Sequence, residues 1–370
     1  MKLRCDRNEL ADGLGDLLGI IPATQTAKPI FLDFHLSTNH GCLVVEATDL
    51  DMGARIRLQH VEILEEGELA LHAVRLHSLL REIPDKNLLI ESLPQERGAA
   101  LKAGGFEFKL LGENPKEFPE VPTFSTEGVV TAPREKFVEM LRRVAVAASR
   151  DMARFQLTGV FFEVDGEKLT MTATDGKRLT NDSISVTNPT GTSSSAIVPN
   201  RVVDVLLKVL SQGAQEFQFI LGDPNFQVNF GRGELIAKII QGSYPDYRPA
   251  ISDSVSVKVV AKRADFLAAA KTAALMTDKN TATVLFRFAE GRAYLLTQAS
   301  EIGESRIEVP IQLHGEPIEV RYNPTYFIDA LRCLTEEEVQ LEFSDPDRPG
   351  ALRGAQNYRH LVMPLVTARS

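Results

Sequence analysis

The sequence predicts an α+β protein made of three tandem copies of one unit, each with two helices packed on hairpin-paired antiparallel strands. Three observations carry this reading. Turn glycines Gly41, Gly166 and Gly291, each between two alternating apolar runs, recur at a fixed interval (166 − 41 = 125; 291 − 166 = 125). The segment Thr172-Ala173-Thr174-Asp175-Gly176-Lys177-Arg178-Leu179 is echoed by Glu46-Ala47-Thr48-Asp49-Leu50, and more faintly by Thr297-Gln298-Ala299, which lacks the aspartate. Helix-like segments repeat on the same clock, and such a period dictates architecture before any motif is read.

Each copy opens on a helix: Arg7 to Leu18, Arg134 to Ala147 and Arg263 to Ala274, with Leu10, Phe137 and Phe266 in register. A second helix closes each copy, at Val74 to Ile83, Asn200 to Leu210 and Thr325 to Leu334, with Leu79, Leu206 and Leu331 aligned. Between them lie the hairpins. Asp165-Gly166 is the strongest turn, because a tight hairpin needs positive φ, and Phe162, Val164, Leu169 and Met171 furnish its strand faces. The stretch from Pro115 to Pro122 holds three prolines and reads as an extended connector, since proline continues neither helix nor sheet. Its cognate, Ser243 to Pro249, sets the second boundary, giving domains 1–125, 126–252 and 253–370. Asn188 to Ser195 reads as a solvated polar loop. The apolar Leu361-Val362-Met363-Pro364-Leu365 reads as an edge strand because of its proline.

The 370 residues exceed what one core serves. Hydrophobic content of 44% with 25% charged residues suits a globular chain, and no apolar run nears the ~20 residues of a membrane span. The first residues lack the apolar core of a signal peptide, so a cytoplasmic location is expected. Cys5, Cys42 and Cys333 share no spacing that suits disulfides or a metal. The net charge of −9 would repel nucleic acid if it were spread evenly.

No catalytic constellation emerges. Gly13-Leu14-Gly15-Asp16-Leu17-Leu18-Gly19 misses dinucleotide-loop spacing and falls within or after the first helix. The histidines never reach the spacing that places two ligands on one helix face, so no metal and no cofactor is expected. Asp175 and its echo Asp49 read as structural turn residues. Basic charge, by contrast, gathers on helices: between Arg134 and Arg154, six cations face three anions. Arg75, Arg201 and Lys208 add to it on the closing helices. A solvated helix face explains any one of these segments by itself.

Along its whole length the chain resembles the bacterial DNA polymerase III beta subunit family, the DNA sliding clamps. The resemblance rests on Ala173-Thr174-Asp175-Gly176-Lys177-Arg178-Leu179, Tyr244-Pro245-Asp246-Tyr247-Arg248, Val198-Pro199, Asn323 with Tyr326, and Val362-Met363-Pro364. It implies three clamp domains that close, as a head-to-tail homodimer, into a ring around duplex DNA held without regard to sequence. It implies docking of the DNA polymerase III alpha subunit, the clamp loader, other DNA polymerases and repair proteins. Their shared peptide pocket would comprise Leu157, Thr174, Gly176, Lys177, Arg178 and Leu179 with Pro245. Asn323, Tyr326, Val362, Met363, Pro364 and Leu365 would complete it. Arg75, Arg142, Arg143, Arg150, Arg154, Arg201 and Lys208 would face DNA, and Phe108 would meet Leu275 and Met276 of the partner. Lys177 stands where many relatives carry histidine, Pro249 and Ala250 also depart from the family pattern, and Thr367 to Ser370 extend past its usual end. Two other readings are open on the residues alone: a clamp-derived repeat scaffold that does not encircle DNA, and a nucleotide-binding enzyme built on the glycine-rich first helix.

Overall fold

The structure, a computed structural model, describes all residues except 24, 25, 27, 94–96, 252, 253, 279–281, 300–302, 355, 356 and 366–370. The expected boundary at 252/253 and the extension from Thr367 to Ser370 lie outside the described residues.

The predicted helices form as α1 (Arg7–Leu17), α2 (Ala73–Glu82), α3 (Arg134–Ala145), α4 (Asn200–Val209), α5 (Arg263–Leu275) and α6 (Pro324–Cys333). Asp6 caps α1 by accepting from the Asn8 and Glu9 amides, and Asn323 caps α6 by accepting from Thr325. Both satisfy amides that a helix start leaves without partners. Leu10, Phe137 and Phe266 are fully buried, as are Leu206 and Leu331. In α2 the buried leucines are Leu76 and Leu80, not Leu79. Spacing of i and i+4 sets the inward face there, so the repeat register is shifted by one residue.

The chain forms two compact units. The first gathers residues 1–138, 165–167 and 186–239. One of its sheets runs in the order Val61–Glu65, Lys2–Asp6, Asn87–Ser92, Gly98–Ala103, Phe106–Leu111. A second runs Val130–Pro133, Glu216–Leu221, Asn225–Asn229, Gly233–Lys238, Met52–Leu58, Cys42–Thr48, Asp33–Asn39, Glu68–His72. Its centre is a junction between copies, where Gly233–Lys238 of the second pairs antiparallel with Met52–Leu58 of the first, Leu235 opposite Ala54 and Glu234 opposite Arg55. The glycines of α1 have a packing role: a Cβ on Gly13 would lie 2.6 Å from Ile56 Cδ1. They sit inside the helix rather than between strand and helix, which removes the basis of the nucleotide-binding alternative.

The second unit holds residues 139–164, 168–185 and 240–370. Its sheet passes from Gly159–Asp165 through Lys168–Thr174, Arg178–Ser185, Arg359–Val362, Gly350–Arg353, Glu338–Phe343 and Val257–Lys262 to Gly303–His314. There too the last strand of one copy pairs with the fourth of its predecessor, His360 opposite Thr180. The expectation of an edge strand near the C-terminus is therefore corrected: Arg359–Val362 has a neighbour on each side, and Pro364 lies beyond it. The core of the third copy centres on Phe266, Phe286, Phe327 and Tyr322, with Phe286 and Phe327 ring centroids 5.3 Å apart.

The hairpin turns refine the repeat. They are His40-Gly41, Gly166-Glu167 and Glu290-Gly291, so the counterparts of Gly166 are His40 and Glu290 rather than the glycines beside them. All three have positive φ, at 45°, 53° and 55°. The turn demands this conformation whichever residue occupies it.

Candidate functional site

The Thr174-Asp175 turn is built by its own side chains. Asp175 Oδ1 accepts from the Lys177 and Arg178 amides at 2.9 and 3.0 Å. Thr174 Oγ1 donates to the Arg178 carbonyl at 2.6 Å and accepts from the Gly176 amide at 3.0 Å. Gly176 has φ +86°, and a Cβ there would stand 2.5 Å from Arg154 Nη1, which donates to the Asp175 carbonyl at 3.2 Å. Only glycine meets both demands without strain. In the first unit Asp49 Oδ1 accepts from Asp51 and Met52 in the same way, and Leu50 takes the left-handed position at φ +74°. The aspartates are thus turn builders in both copies.

The two turns differ in what lies around them. Asp49 pairs with Arg201, and next to that turn Gly53 would, with a Cβ, meet Val121 Cγ1 at 3.1 Å; Val121 itself is buried. The counterpart of Gly53 in the second copy is Leu179, across from Thr174 as Gly53 is across from Thr48. Past the Arg359–Val362 strand, the Met363 amide donates to the Lys177 carbonyl at 2.9 Å and the Leu365 amide to Arg321 at 2.8 Å. Met363, Pro364 and Leu365 are therefore stretched between the turn and the strand that leads into α6. Leu157, Leu179 and Val362 are buried, while Met363 remains 44% exposed.

Arg178 joins these parts. Its Nε donates to Asp175 Oδ2 at 3.0 Å and its Nη1 to Asp329 Oδ2 at 2.7 Å. The guanidinium lies 4.8 Å from the centroid of the Tyr326 ring. Behind it His360 is fully buried, with Nδ1 2.7 Å from Thr180 Oγ1, and burial, aided by the Arg178 charge, pushes its imidazole down to about 3. The arrangement brings together Thr174, Gly176, Lys177, Arg178, Leu179, Asn323, Tyr326 and the run from Val362 to Leu365. Leu157 ends the same 3-10 segment that carries Arg154 to the turn. Pro245 is exposed on the connector. A separate cavity of about 220 Å³ lies beside Pro249, Ala250 and Leu361, with Glu342, Ser344 and Arg348 also on its wall. Asp329 was not foreseen, although it follows Tyr326 by three residues on α6 and so shares its face.

The basic residues divide. Arg75, Arg142, Arg150, Arg154, Arg201 and Lys208 are exposed, although Arg201 is paired with Asp49 and also donates to the Ile20 carbonyl. Arg143 is a correction. It is 6% exposed and pairs with Glu139, Asp182 and Glu336, with its guanidinium 6.0 Å from the Tyr358 ring centroid. Its position in α3 turns it inward, and a buried guanidinium ringed by carboxylates cannot face phosphates. Of the expected partner contacts, Phe108 is half-buried on the terminal strand of the first sheet. Leu275, at the end of α5, is 79% exposed. Met276 borders a polar cleft of about 880 Å³.

Comparison with known proteins bears on the whole chain. It is 28% identical over 365 residues to the beta sliding clamp of Chlamydia muridarum, covering 99% of each. To that of Streptomyces coelicolor it is 27% identical, again over 99% of each. A crystal structure of the DNA polymerase III beta subunit of Thermotoga maritima superposes with a TM-score of 0.92 at 22% identity, covering 99% of this chain and 100% of that one. The Bacillus subtilis DNA polymerase sliding clamp gives 0.91 at 21% identity, covering 99% of both. Family models for the N-terminal, central and C-terminal domains of the DNA polymerase III beta subunit match residues 1–122, 131–246 and 250–366 in turn. With all three domains present in order, the chain belongs to the DNA polymerase III beta subunit family.

Proposed function

We propose that two copies of this protein close head to tail into a ring around duplex DNA, each offering its Asp175 turn as a pocket for partner peptides. The processivity-clamp role comes with the family and with relatives named beta sliding clamp. Such a protein tethers a DNA polymerase to its template and catalyses nothing itself. The same reading divides the chain into domains at 125/126 and 252/253, docks the clamp loader and repair proteins on the pocket beside the polymerase, and sets the ring to work in the cytoplasm.

One observation supports ring closure above the others. At both junctions within the chain, the last strand of one copy pairs with the fourth strand of its predecessor. Among the described residues, one such pairing is unmade: Phe106–Leu111 ends its sheet, and residues 303–310 pair on one side alone. A second molecule would satisfy both open edges, and a two-fold arrangement closes the set.

The repeat also supports a particular register. Ala54 pairs with Ala47, Thr180 with Ala173, and Ser305 with Thr297, each of the latter seven residues after its turn residue His40, Gly166 or Glu290. Leu235 and His360 lie opposite Ala54 and Thr180, and Phe108 holds their place in the first copy. Phe108 then faces Ser305 of the other molecule. Antiparallel continuation sets Glu107 against Arg306 and Lys109 against Glu304, with Arg306–Glu107 matching the Arg55–Glu234 pair, 3.7 Å apart, inside the first unit.

A closed ring slides because phosphate contacts carry no sequence information. The exposed arginines and lysine would supply them. Apolar anchors of a partner peptide would bury against Leu157, Leu179, Val362 and Met363, leaving polar groups to fix its direction. The test combines mass in solution with retention on nicked circular DNA before and after linearisation. Dimer mass with release on cutting is expected; monomers, or equal retention on linear DNA, would overturn the ring.

A further inference from the structure

We propose that Glu163, outside the pocket itself, is a positioning residue that holds the Tyr244–Arg248 connector and with it the Pro245 wall; this rests on the pocket reading above. The connector carries no helix or strand of its own before Arg248, so its shape comes from what grips it. Two grips lie on one strand, Gly159–Asp165, two residues apart and hence on the same face. At Phe161 the Tyr244 ring stacks with centroids 4.8 Å apart and planes 6° from parallel. At Glu163 the carboxylate receives two donors at once. Tyr247 Oη donates to Oε2 at 2.6 Å, and Arg248 Nη2 donates to Oε1 at 2.7 Å.

Pro245 and Asp246 bridge these two grips. Glu163 is only 19% exposed at its side chain, while Arg248 is 66% exposed, so the anchor is fixed in the protein and the guanidinium folds onto it. Arg248 also reaches Asp246 Oδ1 at 3.3 Å and lies 5.3 Å from the Tyr247 ring centroid. The connector is thereby closed on itself as well as onto the strand. On the side of Tyr244, burial pushes the phenol up, and the Thr174 backbone and the Asp175 carboxylate are among the groups acting on it. An anchor of this kind pre-orders a wall that a peptide would otherwise have to order on binding, which costs affinity. The first copy has a comparable grip: Phe118 of its connector stacks on His35 at 5.0 Å, and Arg55 donates to the Val121 carbonyl.

The experiment titrates a fluorescein-labelled peptide with leucine and phenylalanine anchors against wild type, Glu163→Ala, Glu163→Gln and Met363→Ala, with dimer mass and melting temperature followed in parallel. Glu163→Ala is expected to weaken binding roughly three- to tenfold at unchanged mass. Glu163→Gln, which still accepts from Tyr247, should recover part of the loss. In a Tyr247→Phe/Arg248→Ala background, Glu163→Ala should add nothing, because its two donors are already gone. Full affinity in Glu163→Ala beside a weakened Met363→Ala would overturn the role of Glu163 and leave the pocket standing. An undiminished Met363→Ala would overturn the pocket reading itself. An additive loss in the Tyr247→Phe/Arg248→Ala background would show that Glu163 does not act through the connector.

Discussion

The Arg178 guanidinium bridges two carboxylates of different copies, Asp175 and Asp329, while lying 4.8 Å from the Tyr326 ring centroid. Both carboxylates belong to the same chain, so the guanidinium holds the Tyr326 ring against the Asp175 turn without any bound peptide. A lysine cannot reproduce a planar fork that serves two acceptors and stacks on a ring. Arg178→Lys should therefore weaken a fluorescent clamp-binding peptide about tenfold by anisotropy, with dimer mass unchanged. Wild-type affinity would show that the fork is dispensable.

Ring closure can be tested through its proposed register. Arg306→Glu sets two acids across the interface and should raise the dimer dissociation constant, read by sedimentation at micromolar protein. Glu107→Arg alone should do the same. The double exchange restores opposite charges and should recover most of the dimer, because like charges directly opposite on paired strands repel. A double variant no better than either single variant would displace the register.

Much of the fold was legible because burial leaves a periodic trace. Leu10, Phe137 and Phe266 mark the opening helices through their complete burial. The details that escaped have physical causes. Leu50 adopts the conformation of Gly176, since side-chain bonds from Thr48 and Asp49 impose the turn on a residue that does not favour it. The glycines slip by one place in the middle hairpin because either turn residue can be the glycine. Arg143 looked like its neighbour Arg142, and one-dimensional charge counting cannot tell the inward side of a helix from the outward side. The pocket turn was legible as a motif. Asp329 and the placement of Arg154 were not, because these residues meet the Asp175 turn only through folding, and Glu163 meets the connector in the same way.

The contrast between Arg142 and Arg143 gives a paired test. Arg142 is exposed, and replacing it together with Arg150 by glutamine should lower the salt dependence of DNA binding by up to about one unit per charge, with melting unaffected. Arg143→Leu removes one partner from a buried ionic cluster and leaves three acids facing one another. It should cost roughly 3–5 kcal/mol in urea unfolding, with no separate change in salt dependence for the folded fraction. A stable Arg143→Leu protein with a reduced salt slope would reverse the assignment.

Asp182 offers a test of the same cluster through pH. Its carboxyl is raised to about 6, with burial the first cause; the Ser183 amide and Arg143 oppose the shift, and Glu139 and Glu336 add to it. A carboxyl whose folded value lies above its unfolded value of about 3.8 binds its proton more tightly in the native state. The stabilisation this brings is fully present below the unfolded value and is lost as pH rises through about 6. At neutral pH the native protein therefore carries a buried charge that asparagine would not. Relative to wild type, Asp182→Asn should gain stability between about pH 4.5 and pH 7.5, by on the order of 2 kcal/mol. Asp16 and Asp33 are raised to about 6 as well, again chiefly by burial, and remain in both proteins, so the difference between the two urea-unfolding profiles isolates Asp182. Parallel profiles across that window, or a gap that widens toward acid, would mean that Arg143 keeps Asp182 ionised throughout and that the cluster is a fully charged one.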